Sequence, residues 1–459
     1  MPTRANAKKD SVMKNIKIGF VSLGCSKNQL DTEVMLSLLS DEGYEITSEE
    51  SEADVIIINT CAFINDAKQE AIDNILDIAW FKKHRHLKKI IVTGCLAERY
   101  RDQIFDQMPE VDALVGVGSI KKICEAVSRS LKGEKYSSFE DKNTCELGGS
   151  RMLTTPSYAA YLKIAEGCDN RCTYCAIPLI RGKFRSRPME DLVEEAKLLD
   201  RDGCKELSLI AQDTSRYGLD LYGKYMLPEL IRRICAETEI PWIRLLYCYP
   251  DKITDELVSE IANNNRVVKY IDLPIQHIND DILKRMNRHG DRATIEDAIK
   301  RLRDKVPGIT LRTTVITGFP GETGEQYEEL CDFIKQTKFD RLGAFAYSRE
   351  EDTPAYDFDN QIDDQVKQDR CDGIMALQSE ISEELNRKKL HKTVKVLCEG
   401  FDGASGSYVG RSEADAPDVD GKIFFDIDKG QHLHKEGDFV NVRITDCYDY
   451  DLVGISKKG

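Results

Sequence analysis

The sequence has no apolar run near the roughly 18 residues that a membrane-spanning helix requires. Its most hydrophobic stretches, such as VIIIN and IIVTG, have the length of buried strands. It also lacks the apolar core of about 7–15 residues found in secretory signals, opening instead on the polar MPTRANAKKDSVMKN, read as a short flexible tail. These absences predict a cytoplasmic protein with no membrane partner. An excess of basic charge is missing as well: 65 Lys and Arg face 80 Asp and Glu, a net charge of −15. Loose nucleic-acid binding relies on Lys and Arg neutralising phosphates, so no stable nucleic-acid complex is expected. An acidic chain suits a basic partner better, although acidity also serves solubility.

What the chain has in quantity is cysteine, 15 in 459 residues. Structural disulfides are rare in reducing compartments, so this usage points to metal ligation or redox chemistry, with many of the thiols left as buried packing groups. The 41% hydrophobic and 32% charged content is that of a folded globular chain.

The texture changes twice along the chain. In residues 14–131, strands at 17–23, 54–59, 89–93 and 112–117 alternate with amphipathic helices, the signature of a parallel sheet with crossover connections. Residues 132–157 are polar and rich in Ser, Gly and Thr, and read as a linker. Residues 158–390 resume the alternation, with six strands at 158–165, 205–211, 242–247, 269–273, 310–317 and 341–347. Six βα units predict an open barrel, short of the eight that close one. A long charged helix over 361–389 ends this domain. Residues 391–459 are rich in short strands with Gly and Asp turns, and predict a small β-barrel of the oligonucleotide-binding type.

The strongest motif is Cys168-x-x-x-Cys172-x-x-Cys175, directly after the first barrel strand. Three thiolates so spaced bind three irons of a cubane and leave the fourth without a protein ligand. An open iron can chelate the amino and carboxylate groups of S-adenosylmethionine (SAM) and pass it an electron. A radical able to abstract hydrogen then results. The position fits, because such barrels act at the C-terminal ends of their strands. A zinc site is the competing reading, but it needs a fourth ligand.

Cys25, Cys61 and Cys95 close three successive strands, in FVSLGC, IIINTC and IVTGC. Strand ends of a parallel sheet share one edge, where open α/β sheets bind ligands, so these thiols converge. Helix N-termini following each would favour an anionic cluster. Taken singly, each reads as a small buried residue; all three at the same structural position point to a second cluster. Cys248 follows a barrel strand and either lines the site or packs, as the other eight cysteines are expected to do.

These motifs resemble those of the radical SAM methylthiotransferases, and the resemblance covers nearly the whole chain. The strings VSLGCSKNQLDTE, YLKIAEGCDNRCTYCAIPLIRGKFRSRP, AQDTSRYG, DLPIQH and GRSEADAPDVDG are similar to the type that modifies a ribosomal protein. The resemblance implies three parts: an N-terminal α/β methylthiotransferase domain, a radical SAM domain and a C-terminal TRAM domain. It implies two [4Fe-4S] clusters, with Cys168, Cys172 and Cys175 holding the one that cleaves SAM and Cys25, Cys61 and Cys95 an auxiliary one. Two SAM molecules and a cluster-bound sulfur would place a methylthio group on the β-carbon of an aspartate in protein twelve of the small ribosomal subunit. Reductant and sulfur-donor proteins are implied partners. Tyr174 is a candidate to contact adenine or an ordinary surface tyrosine. Gln212 and Asp213 either bind SAM polar groups or start a helix. Gln276, His277 and the turn Gly318–Glu322 are open between site and structural roles.

A tRNA-adenosine methylthiotransferase of the same family is the alternative, and a non-catalytic iron–sulfur or zinc scaffold is a third reading. Over 391–459 nine Lys and Arg face thirteen Asp and Glu, where a tRNA-gripping barrel should carry a basic face. The acids Glu413, Asp415, Asp418 and Asp420 concentrate in one loop, the expected docking site for a basic ribosomal segment.

Overall fold

A computed structural model describes residues 16–428 and 433–457; the N-terminal stretch read as a tail lies outside the described residues. The first unit is a six-stranded, all-parallel sheet. Lys17–Ser22, Val55–Thr60, Lys89–Gly94 and Ala113–Val115 stand side by side in that order, flanked by Glu45–Ile46 and Tyr136–Ser138 at the two edges. Every side chain of VIIINT is buried, the continuous burial expected of a strand covered by helices on both faces. Tyr136–Ser138 falls inside the polar stretch read as a linker; three residues are too few to leave a periodic signal.

The second unit is one curved parallel sheet of Ala159–Lys163, Glu206–Ile210, Trp242–Leu245, Val267–Asp272, Thr310–Thr317 and Arg341–Ala346, paired in that order. The first and last strands are edges, so this is an open six-stranded barrel. Its helices carry apolar stripes; in Met189–Arg201 the buried residues Leu192, Val193, Ala196 and Leu199 follow helical spacing. Thr323 and Gln326 form a capping box that starts Gly324–Thr337. The helix Asp364–Arg387 ends the unit. Beyond it five strands close a barrel, in which Val440, Val442 and Ile444 alternate inward along Phe439–Cys447.

The first unit grips both edges of the open barrel. Asp31 meets Lys163 of the first barrel strand at 2.6 Å, and Glu33 meets Arg151 just before that strand at 2.8 Å. At the other edge, Arg99 and Lys68 reach Glu350 at 2.7 and 3.0 Å, just past the last strand. The lateral gap of the barrel is therefore spanned by another part of the chain.

The C-terminal barrel stops the opposite end. Its loop 411–420 packs on the strands' N-terminal ends, with Arg411 on Glu206 at 2.7 Å, Asp415 on Arg341 at 2.6 Å and Asp420 accepting from Tyr270 Oη at 2.7 Å. Asp418 accepts from Tyr161 Oη. Glu413 and Asp418 stay exposed, but Asp415 and Asp420 are drawn inside, so the four acids do not stand together as the expected docking loop. Asp415 neutralises the buried Arg341, and Asp420 meets the half-buried Arg312.

Candidate functional site

The two cysteine triads are built by different backbone devices. Cys25 is the N-cap of Ser26–Glu42, Cys61 follows the strand Val55–Thr60, and Cys95 opens the helix Cys95–Tyr100. The register Ser22↔Asn59↔Thr93 sets the three strand ends level. Two glycines then let the loops close. At Gly24, with φ +90, a Cβ would stand 2.8 Å from Cys61 Cβ. At Gly94, with φ +89, it would stand 2.3 Å from Asn59 Oδ1. Asn28 fixes the edge by donating to the carbonyls of Leu23 and Thr60.

Burial pushes the Cys95 thiol up to about 12, against the pull of Arg181. Burial also raises Cys61, with Cys25 adding to the effect. The three thiols are thus close enough to feel one another. Bound cations would bring such thiols to the thiolate form.

The second triad lies on the loop after the first barrel strand. Cys168 and Cys172 are buried and Cys175 half-buried. Burial raises the Cys168 thiol to about 11 and raises Cys175 further, with Cys172 adding to both. The loop is tied down by Thr173, whose hydroxyl donates to the Arg285 carbonyl at 2.8 Å, and by Asn170, which donates to Asp213 at 2.8 Å. Among the described residues no group of three or more His, Cys, Asp or Glu closes around a single metal ion. A cubane takes its thiols at different irons rather than at one. Three thiols with no carboxylate among them fit such a cluster at each triad.

The remaining expected residues separate by their bonding. Tyr174 packs edge-on to Phe319, with ring centroids 6.5 Å apart, against the Gly318–Glu322 turn. Gln212 keeps a buried side-chain oxygen with no partner. Asp213 is fully buried and spent on Asn170, Ser215 and Lys252, so it anchors the cysteine loop. Gln276 takes φ +69 and bridges to the fifth barrel strand. His277 is buried with Nε2 3.5 Å from Glu322, which accepts from the Gly318 N–H. Cys248 is fully buried in the barrel core.

Two residues not singled out from the sequence complete the site. Arg288 holds a guanidinium nitrogen 3.9 Å from Cys172 Sγ and lies over the Tyr249 ring. Arg181 ends the short helix Ile177–Arg181, which begins two residues after Cys175, and places Nη2 3.6 Å from Cys95 Sγ. Its other contacts are Asn28, Asp31 and Glu166. One helical turn therefore runs from one triad to the other.

The chain matches three family descriptions in succession: Uncharacterized protein family UPF0004 over residues 17–116, Radical SAM superfamily over 162–334 and TRAM domain over 392–456. It is 50% identical over 443 residues to the ribosomal protein uS12 methylthiotransferase RimO of Thermoanaerobacter sp. (strain X514), covering 96% of this chain and all of that protein. The RimO of Lachnoclostridium phytofermentans is 49% identical over 446 residues, with 96% and 100% covered. The chain belongs to the RimO family. It is a radical SAM methylthiotransferase, and as such uses SAM and a [4Fe-4S] cluster. Among solved structures, a radical SAM methyltransferase from Kitasatospora setae, TsrM, shares the fold with a TM-score of 0.55 at 15% identity, over 75% of this chain and 77% of that one. No helix among the described residues is long and apolar enough to cross a membrane.

Proposed function

We propose that this enzyme methylthiolates the β-carbon of an aspartate in ribosomal protein uS12, with Cys168, Cys172 and Cys175 holding the cluster that cleaves SAM and Cys25, Cys61 and Cys95 holding a second [4Fe-4S] cluster. The observation that carries this reading is the pair of cysteine triads at the C-terminal strand edges of two docked sheets, joined through Arg181. When bound, the clusters and SAM supply a hydrogen-abstracting radical and a sulfur for methylation and transfer.

The chain's own groups set the conditions. Arg288 and Arg181 each hold a cation against one triad, offsetting the negative charge of its thiolates. Asp213, through Asn170, and Thr173 fix the loop that carries Cys168, Cys172 and Cys175. Gln212 and Tyr174 are left to contact SAM. The ion pairs at both barrel edges keep water from the side of the site, protecting a reactive intermediate. The action is placed in the cytoplasm, with reductant and sulfur-donor proteins as partners and without a stable nucleic-acid complex.

Anaerobic reconstitution tests this directly. About eight irons and eight sulfides per chain are expected from two cubanes. Replacing either triad with Ala should remove about four irons. Loss of the Cys168 set should abolish 5′-deoxyadenosine formation. Loss of the Cys25 set should leave SAM cleavage without methylthiolated product. Mass spectrometry of uS12 and tRNA from cells with and without the protein decides the substrate. Modified tRNA with untouched uS12 would sink this reading.

A further inference from the structure

Lys27 lies two residues beyond Cys25, in the first turn of Ser26–Glu42, and is only 4% exposed. Its ammonium stands over the Tyr247 ring, 2.8 Å from the centroid. No carboxylate, carbonyl or hydroxyl among the described residues pairs with it. Its stem is buried, and a π-face offsets only part of the cost of drawing an ammonium away from water, so an anion would complete its surroundings. Elsewhere at this interface the buried cations Lys163, Arg181, Arg151 and Arg99 all have carboxylate partners. Lys27 is the exception, and the positive end of its helix adds to its pull on an anion.

Its surroundings place that anion in the site. Tyr247 follows the third barrel strand, takes φ +61, and its carbonyl accepts from the Thr214 N–H, two residues from Gln212. Two residues on, Tyr249 feels the charges of Cys172 and Cys168 and stacks with Arg288. Lys27 thus reaches out of the unit bearing Cys25 to the barrel wall beside the other triad.

We infer that Lys27 is a specificity-determining residue that grips the side-chain carboxylate of the acceptor residue in the protein substrate. The inference rests on the proposed function: the acceptor carbon must lie between the source of the radical and the sulfur. A carboxylate on that acceptor is the anion Lys27 lacks. SAM also carries a carboxylate, but the residues left for SAM cluster at Cys168, Cys172 and Cys175, and Lys27 belongs to the unit bearing Cys25. A neutral amide bound there would cover the ammonium without pairing its charge, so binding discriminates against it at that position.

The test uses reconstituted holoenzyme and two fluorescein-labelled peptides of the uS12 acceptor loop, one with Asp and one with Asn at the acceptor position. Anisotropy should show wild type binding the Asp peptide about tenfold or more tightly, as a charge-assisted pair provides. Lys27→Met should bind both peptides at the Asn level, and Lys27→Arg should recover part of the preference. The SAM Kd by equilibrium dialysis and the iron content should stay at wild-type values. Equal binding of the two peptides by wild type overturns the inference and needs no variant. So does a Lys27→Met enzyme that keeps the preference, or one that loses SAM affinity while peptide discrimination stands. Failure of the proposed function reads differently, as wild type that leaves uS12 unmodified in the mass spectrum.

Discussion

At the scale of single residues, buried charge decides more than apolar packing at the places where parts of the chain meet. Glu206 is fully buried between Arg244 and Arg411, at 2.5 and 2.7 Å. Removing one partner of such a group strands the others without solvent, at a cost of about 3–5 kcal/mol. Glu206→Gln should therefore lower the stability of the folded protein by that order, read as a fall in the denaturant midpoint with unchanged slope. Glu166 predicts a pH effect. Burial raises its carboxyl, but Lys163 and Arg181 more than reverse this and hold it at about 2. A depressed carboxylate contributes stability above its unfolded value of about 4.3, and loses it as pH falls towards the folded value. Wild type should lose Tm between about pH 4.5 and 2 more steeply than Glu166→Gln. Parallel curves across that window would show that this carboxylate is not so held.

At the scale of elements, the turns after the first-sheet strands matter more than the strands. Gly94 combines φ +89 and ψ −152 with backbone and Asn59 at its Cα, leaving no room for a side chain. Gly94→Ala should pull Cys95 away from Cys25 and Cys61. The expected result is loss of about four of eight irons, with the iron of the Cys168 set retained. This part of the molecule was legible in advance, because strand-end cysteines and C-x-x-x-C-x-x-C spacing are local in sequence. The barrel strands were legible for the same reason, through their apolar runs and the helices between them. Arg181, Arg288 and Lys27 were not, since each matters through a neighbour 86, 116 or 220 residues away in the chain. Asp415 and Asp420 were misread outright. Acids in a Gly-flanked loop look free to dock a partner until Arg341 and Arg312 are known to lie beneath them.

At the scale of the whole molecule, the central barrel is completed from outside itself: the first unit spans its lateral gap and the 411–420 loop stops its floor. Truncation after residue 390 would leave Glu206, Arg244, Arg312, Arg341 and Tyr270 without the partners that loop supplies. The truncated chain should be less stable than the full one throughout residues 158–390, and hydrogen exchange should show faster opening at the strands' N-terminal ends. Unchanged protection there would mean that the floor stands alone. The same loop also imposes an order in time. A ribosome adds about 5–20 residues each second, and domains near the N-terminus fold first. Here the middle of the chain emerges with ionised groups facing an unfilled floor. It must wait several seconds for the last seventh of the polypeptide before they are neutralised. The final stretch to be synthesised is therefore the one that finishes an earlier fold, and a chain released early carries an unfinished barrel even though every barrel residue is present.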